Sequence, residues 1–196
     1  MQAPVFDSFR LVGGTALSLQ IGHRESIDID LFTDIPYGTI DFDQIEYFLK
    51  QHFNYISSST LSPAFGKAYF LGHNKNETFK LDLFYTDPFI QPYEEIDSIR
   101  LATIEEIIAM KIDVIQRGGR KKDFWDLHEL VTRYTIKEMI DLHALRYPYS
   151  HDRTLIVTNL THFEYADEDL NPICLRGKYW ELIKDDFQEM IAKLKS

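Results

Sequence analysis

Asp28 and Asp30 stand two residues apart in Ser26-Ile27-Asp28-Ile29-Asp30-Leu31-Phe32, where polar and apolar residues alternate. Read as a strand, this stretch sends both carboxylates to one face and packs Ile27, Ile29 and Leu31 on the other. Two neighbouring carboxylates repel, and burying them unpaired is costly, so the pair asks for a cation. Oxygen ligands alone suit Mg²⁺, which takes one or two carboxylates and fills its other positions with waters and substrate phosphates. Upstream, the apolar run 9–12 leads into Gly13-Gly14-Thr15 and then into a helical pattern at Ala16, Leu17, Leu19 and Gln20. Glycine permits a sharp turn and close backbone approach to a ligand, and the amides at a helix start form an anion site. An anion-binding turn followed by a metal-binding pair fits a phosphate-bearing substrate.

A third carboxylate is expected at Asp82. In the run 78–85, Lys80, Asp82 and Phe84 share one face of a strand while Phe79, Leu81 and Leu83 share the other. A second constellation follows. Thr103-Ile104-Glu105-Glu106 reads as a capping box opening a helix. Steps of 100° place Ile104, Ile107, Ile108, Ile112 and Ile115 on one broad face, with Lys111 near its centre. After Gly118-Gly119, the string Lys121-Lys122-Asp123-Phe124-Trp125-Asp126-Leu127 puts Asp123 and Asp126 on a face with Leu127, Leu130 and Tyr134. A buried ammonium needs a partner. The residue types leave two readings open: a Lys111–Asp123 or Lys111–Asp126 bridge that only braces two helices, or a functional lysine.

These side chains must be held by strands and helices that the pattern also shows. Residues 33–39, with Pro36 and Gly38, read as a loop, and 41–52 as a helix with its stripe at Phe42, Ile45, Phe48 and Leu49. Runs at 54–60, 66–72 and 78–85 read as strands of a mixed sheet. The stretch 87–100 holds two prolines and no period, and is expected to be a connector. Beyond it the pattern is helical, interrupted at Tyr147-Pro148-Tyr149 and at 167–172, and closed by a helix over 178–194 with apolar residues at Tyr179, Leu182, Ile183, Phe187, Met190, Ile191 and Leu194. The fold class is α+β. A mixed sheet with flanking helices occupies 1–100, and a helical part over 101–196 completes the site.

Composition narrows the chemistry. The chain has 196 residues, enough for one good core and a small helical appendage. Its single cysteine, Cys174, rules out an internal disulfide and a cysteine-based metal site. The seven histidines show no H-x-x-x-H or H-E-x-x-H spacing, and no G-x-S-x-G elbow occurs. No apolar run approaches the roughly 18 residues of a membrane span, and no leader pattern opens the chain, so a soluble cytoplasmic protein is expected. Net charge is −10, which repels nucleic acid at long range. Between 111 and 126, however, Lys111, Arg117, Arg120, Lys121 and Lys122 outnumber Asp113, Asp123 and Asp126, giving a local balance of +2.

Gly13-Gly14, thirteen residues and then Asp28-Ile29-Asp30 resembles the signature of the polymerase-β-like nucleotidyltransferase superfamily. The fuller strings, Val12-Gly13-Gly14-Thr15-Ala16-Leu17 and Arg24-Glu25-Ser26-Ile27-Asp28-Ile29-Asp30-Leu31-Phe32, resemble the AbiEii/AbiGii toxin family, as does Lys111, then Arg117, then Lys122-Asp123-Phe124-Trp125-Asp126-Leu127. The likeness covers roughly residues 10–131. Only about nine residues precede the first strand, where family members have a leading helix. The resemblance implies a toxin of a toxin–antitoxin or abortive-infection system that moves a nucleotidyl group from a nucleoside triphosphate to an acceptor hydroxyl, at the end of a tRNA or other RNA. It implies two Mg²⁺ ions on Asp28, Asp30 and Asp82, with Asp82 also receiving the hydroxyl proton. Gly13, Gly14, Thr15 and Lys111 would meet the nucleotide, Asp123 and Asp126 would orient Lys111 or the base, and Arg117, Arg120, Lys121 and Lys122 would hold RNA. A cognate antitoxin protein is the implied partner. Two alternatives share the fold: a catalytically silent binding partner, and a nucleotidyltransferase acting on a small molecule of the antibiotic kind.

Overall fold

The alternation of apolar residues at Leu81, Leu83 and Tyr85 with Lys80, Asp82 and Phe84 produces, in the computed structural model, a strand with one buried face. The structure describes residues 1–58 and 65–195. Two compact units emerge. One comprises 1–16 and 26–102, the other 17–25 and 103–196. The boundary falls inside helix α1 (Gly13–Ile21), after Ala16.

The first unit is built on a seven-stranded mixed sheet. Its strands are β1 (Arg10–Val12), β2 (Ile29–Thr33), β3 (Tyr55–Ser58), β4 (Gly66–Asn74), β5 (Glu77–Tyr85), β6 (Glu94–Ile96) and β7 (Ile99–Leu101), in the order β3-β4-β5-β2-β1-β7-β6. β2 runs parallel to β5 and antiparallel to β1, so the strand that carries Asp30 is paired on both sides. Leu11, Val12, Leu31, Tyr69, Leu71, Leu81 and Leu83 fill the core. Helix α2 (Phe42–His52) buries Ile45 and Leu49 and is capped by Asp41, whose carboxylate accepts from Gln44 N–H. The end of the expected strand 54–60 lies outside the described residues. The expected connector 87–100 instead contains the hairpin β6–β7. Asp97 and Ser98 turn it with φ of +51° and +61°, the left-handed pair that a tight hairpin turn requires.

The second unit is helical: α3 (Ile104–Gln116), α4 (Lys121–Leu130), α5 (Ile136–Arg146), α6 (Arg153–Asn159), α7 (Glu164–Asp167) and α8 (Trp180–Lys195). Thr103 caps α3 by accepting from Glu106 N–H, while the Glu106 carboxylate pairs with the buried Arg146 guanidinium. A full capping box is present one helix later, at Thr135 and Glu138. Ile107, Ile108, Ile112 and Ile115 are fully buried, as the periodicity predicts. On α8 Trp180, Ile183, Phe187 and Ile191 are buried, whereas Leu182, expected on that face, is exposed, as is Tyr179 just before the helix. Phe124, Phe163, Trp180 and Phe187 pack edge to face, and Trp125 stacks on Trp180 with ring centroids 6.5 Å apart. Among the described residues no helix is long and apolar enough to cross a membrane.

Candidate active site

The sheet determines where the acidic residues of the first unit stand. Asp30 faces Val12 across the β1 ladder and Asp82 across the β5 ladder. As register partners on parallel strands, Asp30 and Asp82 lie on one face of the sheet, with backbones about 4.8 Å apart. Asp28 is placed differently from the expectation. β2 begins at Ile29, so Asp28 belongs to the segment before the strand, and Ile27 is 71% exposed rather than packed. The cause is a bond to α1: the Thr15 hydroxyl donates to the Asp28 carbonyl oxygen and lies 3.0 Å from Ser26 Oγ. A peptide held by a helix side chain is not free to extend the ladder.

Two further details bear on what this face can bind. At Gly13, φ is +68° and a Cβ would lie only 2.5 Å from Asp30 Oδ2, so a side chain there would clash with the carboxylate. Asp82 accepts from Lys80 Nζ through Oδ2, while its Oδ1 is buried and has no hydrogen-bond partner among the described residues. The donor set is all oxygen, and a buried acceptor without a donor is the kind of group a hard cation satisfies. The three carboxylates therefore fit Mg²⁺ in donor chemistry. Among the described residues, no three His, Cys, Asp or Glu side chains already form a metal cage. Thr15, expected beside a phosphate, has its hydroxyl engaged with Asp28, and its visible role is to hold that residue.

In the helical unit Lys111 meets both aspartates at once, with Nζ 2.6 Å from Asp123 Oδ1 and 2.7 Å from Asp126 Oδ2. Both aspartates are fully buried. Arg24 takes Asp126 with two N–H groups, Nη2 to Oδ2 at 2.9 Å and Nε to Oδ1, and His23 Nε2 lies 2.8 Å from that same Oδ1. Arg120 Nε donates to Asp123 Oδ2 at 2.9 Å. Burial opposes the charged form of each carboxyl. For Asp126 it is outweighed by Lys111, Arg24 and His23, which hold its carboxyl well below the usual carboxylate range, and for Asp123 by Lys111 and Arg120, which lower its pKa. Burial likewise opposes the Lys111 ammonium, and the two aspartates overcome it and raise its pKa. Such a lysine keeps its proton throughout the physiological range.

His23 and Arg24 were not among the expected site residues, because they precede Asp126 by 103 and 102 residues. The available signal was stoichiometric: two inward carboxylates need more than one lysine. The basic string also resolves differently. Lys121 is buried, its ammonium donating to the Asp167 and Asp169 carbonyls and its backbone N–H to the Asp169 carboxylate, so it braces the fold and is not offered to RNA. The Arg117 and Arg120 side chains are largely exposed, although Arg117 bonds to Asp113 and Arg120 to Asp123. Lys122 is half-buried.

Comparison with known proteins gives a consistent result. The family model described as nucleotidyl transferase AbiEii toxin, type IV TA system, matches residues 1–196. An uncharacterized protein of Aquifex aeolicus is 30% identical over 200 residues, covering 96% of this chain and 89% of its own length. Among solved structures, JHP933 of Helicobacter pylori is 22% identical with a TM-score of 0.60, covering 97% of this chain and 87% of its own. MenT4, a nucleotidyltransferase toxin of Mycobacterium tuberculosis, is 14% identical with a TM-score of 0.61, covering 95% and 76%. These last two likenesses concern the fold.

Proposed function

This chain belongs to the AbiEii family of nucleotidyltransferase toxins, and from that premise we propose that it transfers a nucleotidyl group from a nucleoside triphosphate to a hydroxyl at an RNA end, tRNA being the favoured acceptor. The observation that carries the reading is the juxtaposition of Asp30 and Asp82 in register on β2 and β5, with Asp28 tethered beside them by Thr15. Asp28, Asp30 and Asp82 would hold two Mg²⁺ ions, whose contribution when bound is to neutralise and polarise the attacking and leaving oxygens. The acceptor oxygen bonds to the α-phosphorus as the bond to the β-phosphate oxygen breaks and pyrophosphate leaves. Asp82 takes the hydroxyl proton. Gly13 and Gly14 bring backbone amides to the triphosphate at the start of α1.

For the helical unit the reading is electrostatic. Lys111, kept charged by Asp123 and Asp126, supplies positive charge for the triphosphate, because phosphoryl-type transfer depends mainly on positioning and charge stabilisation. Arg117, Arg120 and Lys122 are the basic residues available for an RNA backbone, and a cognate antitoxin protein is the partner in keeping with the family.

The test is a transfer assay with purified protein, Mg²⁺, each labelled nucleoside triphosphate in turn and total bacterial RNA, run beside Asp28→Ala. Wild type should label tRNA-sized RNA, and Asp28→Ala should lose about 10³-fold or more, in line with removal of a principal charge-stabilising group. Equal labelling by both proteins would remove the carboxylates from the mechanism. Turnover that does not need RNA would move the acceptor to a small molecule, and nucleotide binding without turnover would mark a silent member.

A further inference from the structure

Lys80 is a cation inside the carboxylate face, and the reaction described above gives it no task. It lies two residues before Asp82 on β5 and therefore on the same face of that strand. Its Nζ donates to Asp82 Oδ2, with the Lys80 side chain 38% exposed and that of Asp82 15% exposed. The other Asp82 oxygen is buried and has no hydrogen-bond partner among the described residues. Asp82 thus has one oxygen on an ammonium and one ready for a further positive group. Its register partner Asp30 has Oδ2 so close to the Gly13 backbone that even a Cβ there would not fit.

We propose that Lys80 is the resident counter-ion of the candidate metal site: it neutralises Asp82 until a divalent ion displaces it, and so lowers the affinity of the nucleotide-free protein for that ion. The inference rests on the reading of Asp28, Asp30 and Asp82 as metal ligands. An ammonium and a divalent cation compete for the charge of the same carboxylate, so an ion that Asp82 would hold binds against the resident Lys80 ammonium. Once displaced, the ammonium is a half-exposed positive charge with a mobile stem, suited to a polyphosphate that arrives with the metal. Metal and nucleotide then bind with positive coupling, because each relieves a cost the other would bear.

The experiment is calorimetric titration of Mn²⁺ into the full nucleotide-free chain, comparing wild type, Lys80→Met and Asp82→Asn. Methionine keeps the stem length and removes the charge. Lys80→Met should bind Mn²⁺ about tenfold more tightly, a modest share of the interaction between unit charges at contact near a protein surface, while Asp82→Asn should bind more weakly than wild type. Unchanged or weaker binding by Lys80→Met, with Asp82→Asn still impaired, would overturn the counter-ion role and leave the metal reading standing. Binding that is the same in all three proteins, or absent from all, would overturn both. Circular dichroism of each variant checks that the sheet is retained.

Discussion

The two units use the same residue types in opposite ways. In the sheet unit, Asp28, Asp30 and Asp82 are half-buried and Lys80 is bonded to Asp82. Among the helices, Asp123 and Asp126 are fully buried and receive Lys111, Arg24, Arg120 and His23. The helical cluster is complete in itself, with every carboxylate oxygen bonded to a donor of the same chain. The sheet face leaves a buried carboxylate oxygen unsatisfied.

The most forceful way to break this contrast is Asp126→Ala. Removing that carboxylate strands the Arg24 guanidinium and half of the Lys111 environment in the interior, a loss expected to cost about 3–5 kcal/mol. Asp28→Ala should leave the melting temperature close to wild type. Chemical denaturation of the two variants side by side decides the matter: equal stability loss in both would erase the difference between a cluster the fold depends on and one it does not.

A smaller effect is expected at Gly13. Alanine there combines positive φ with a Cβ 2.5 Å from Asp30 Oδ2, and a destabilisation of roughly 1–2 kcal/mol follows from backbone strain alone. The displaced Asp30 should also weaken Mn²⁺ binding. A Gly13→Ala protein with wild-type stability and wild-type metal affinity would show that the close approach is incidental.

The smallest expected effect is a flat line. Asp123 and Asp126 have lowered pKa values, so their contribution is complete above the ordinary 3.8 and is lost only as pH falls through their lower folded values. Lys111 has a raised pKa, so its contribution is complete below the ordinary 10.5 and is lost only as pH rises through its higher folded value. The stability gap between wild type and Asp126→Ala should therefore stay constant from about pH 5 to 9. A gap that narrows within that window would mean that the cluster titrates there.

Legibility in the sequence followed the range of the interaction. Lys111 stood out because a charge at the centre of an isoleucine face conflicts with its neighbours within a few turns of helix. Asp30 and Asp82 were legible because period-two alternation assigns them to a face without reference to the rest of the chain. Asp28 was placed one step wrongly because its conformation depends on Thr15, thirteen residues earlier. The β6–β7 hairpin was missed because its strands are three residues each, and Glu94, Glu95 and Ile96 are all exposed, leaving no burial pattern to read. His23, Arg24 and Lys121 could not be assigned from local pattern, since their partners lie tens of residues away and two of the Lys121 acceptors are main-chain carbonyls whose side chains carry no signal.

Trp125 and Trp180, the chain's only tryptophans, share one aromatic cluster in the helical unit. The sheet unit contains no indole, so selectively excited intrinsic fluorescence is an optical label for one half of the protein. Emission would follow the surroundings of the stacked pair as denaturant is added, while far-ultraviolet dichroism would report the backbone of both halves. Coincident transitions would indicate that sheet and helices unfold as one cooperative body, and separated transitions would assign a stability to each without any introduced dye.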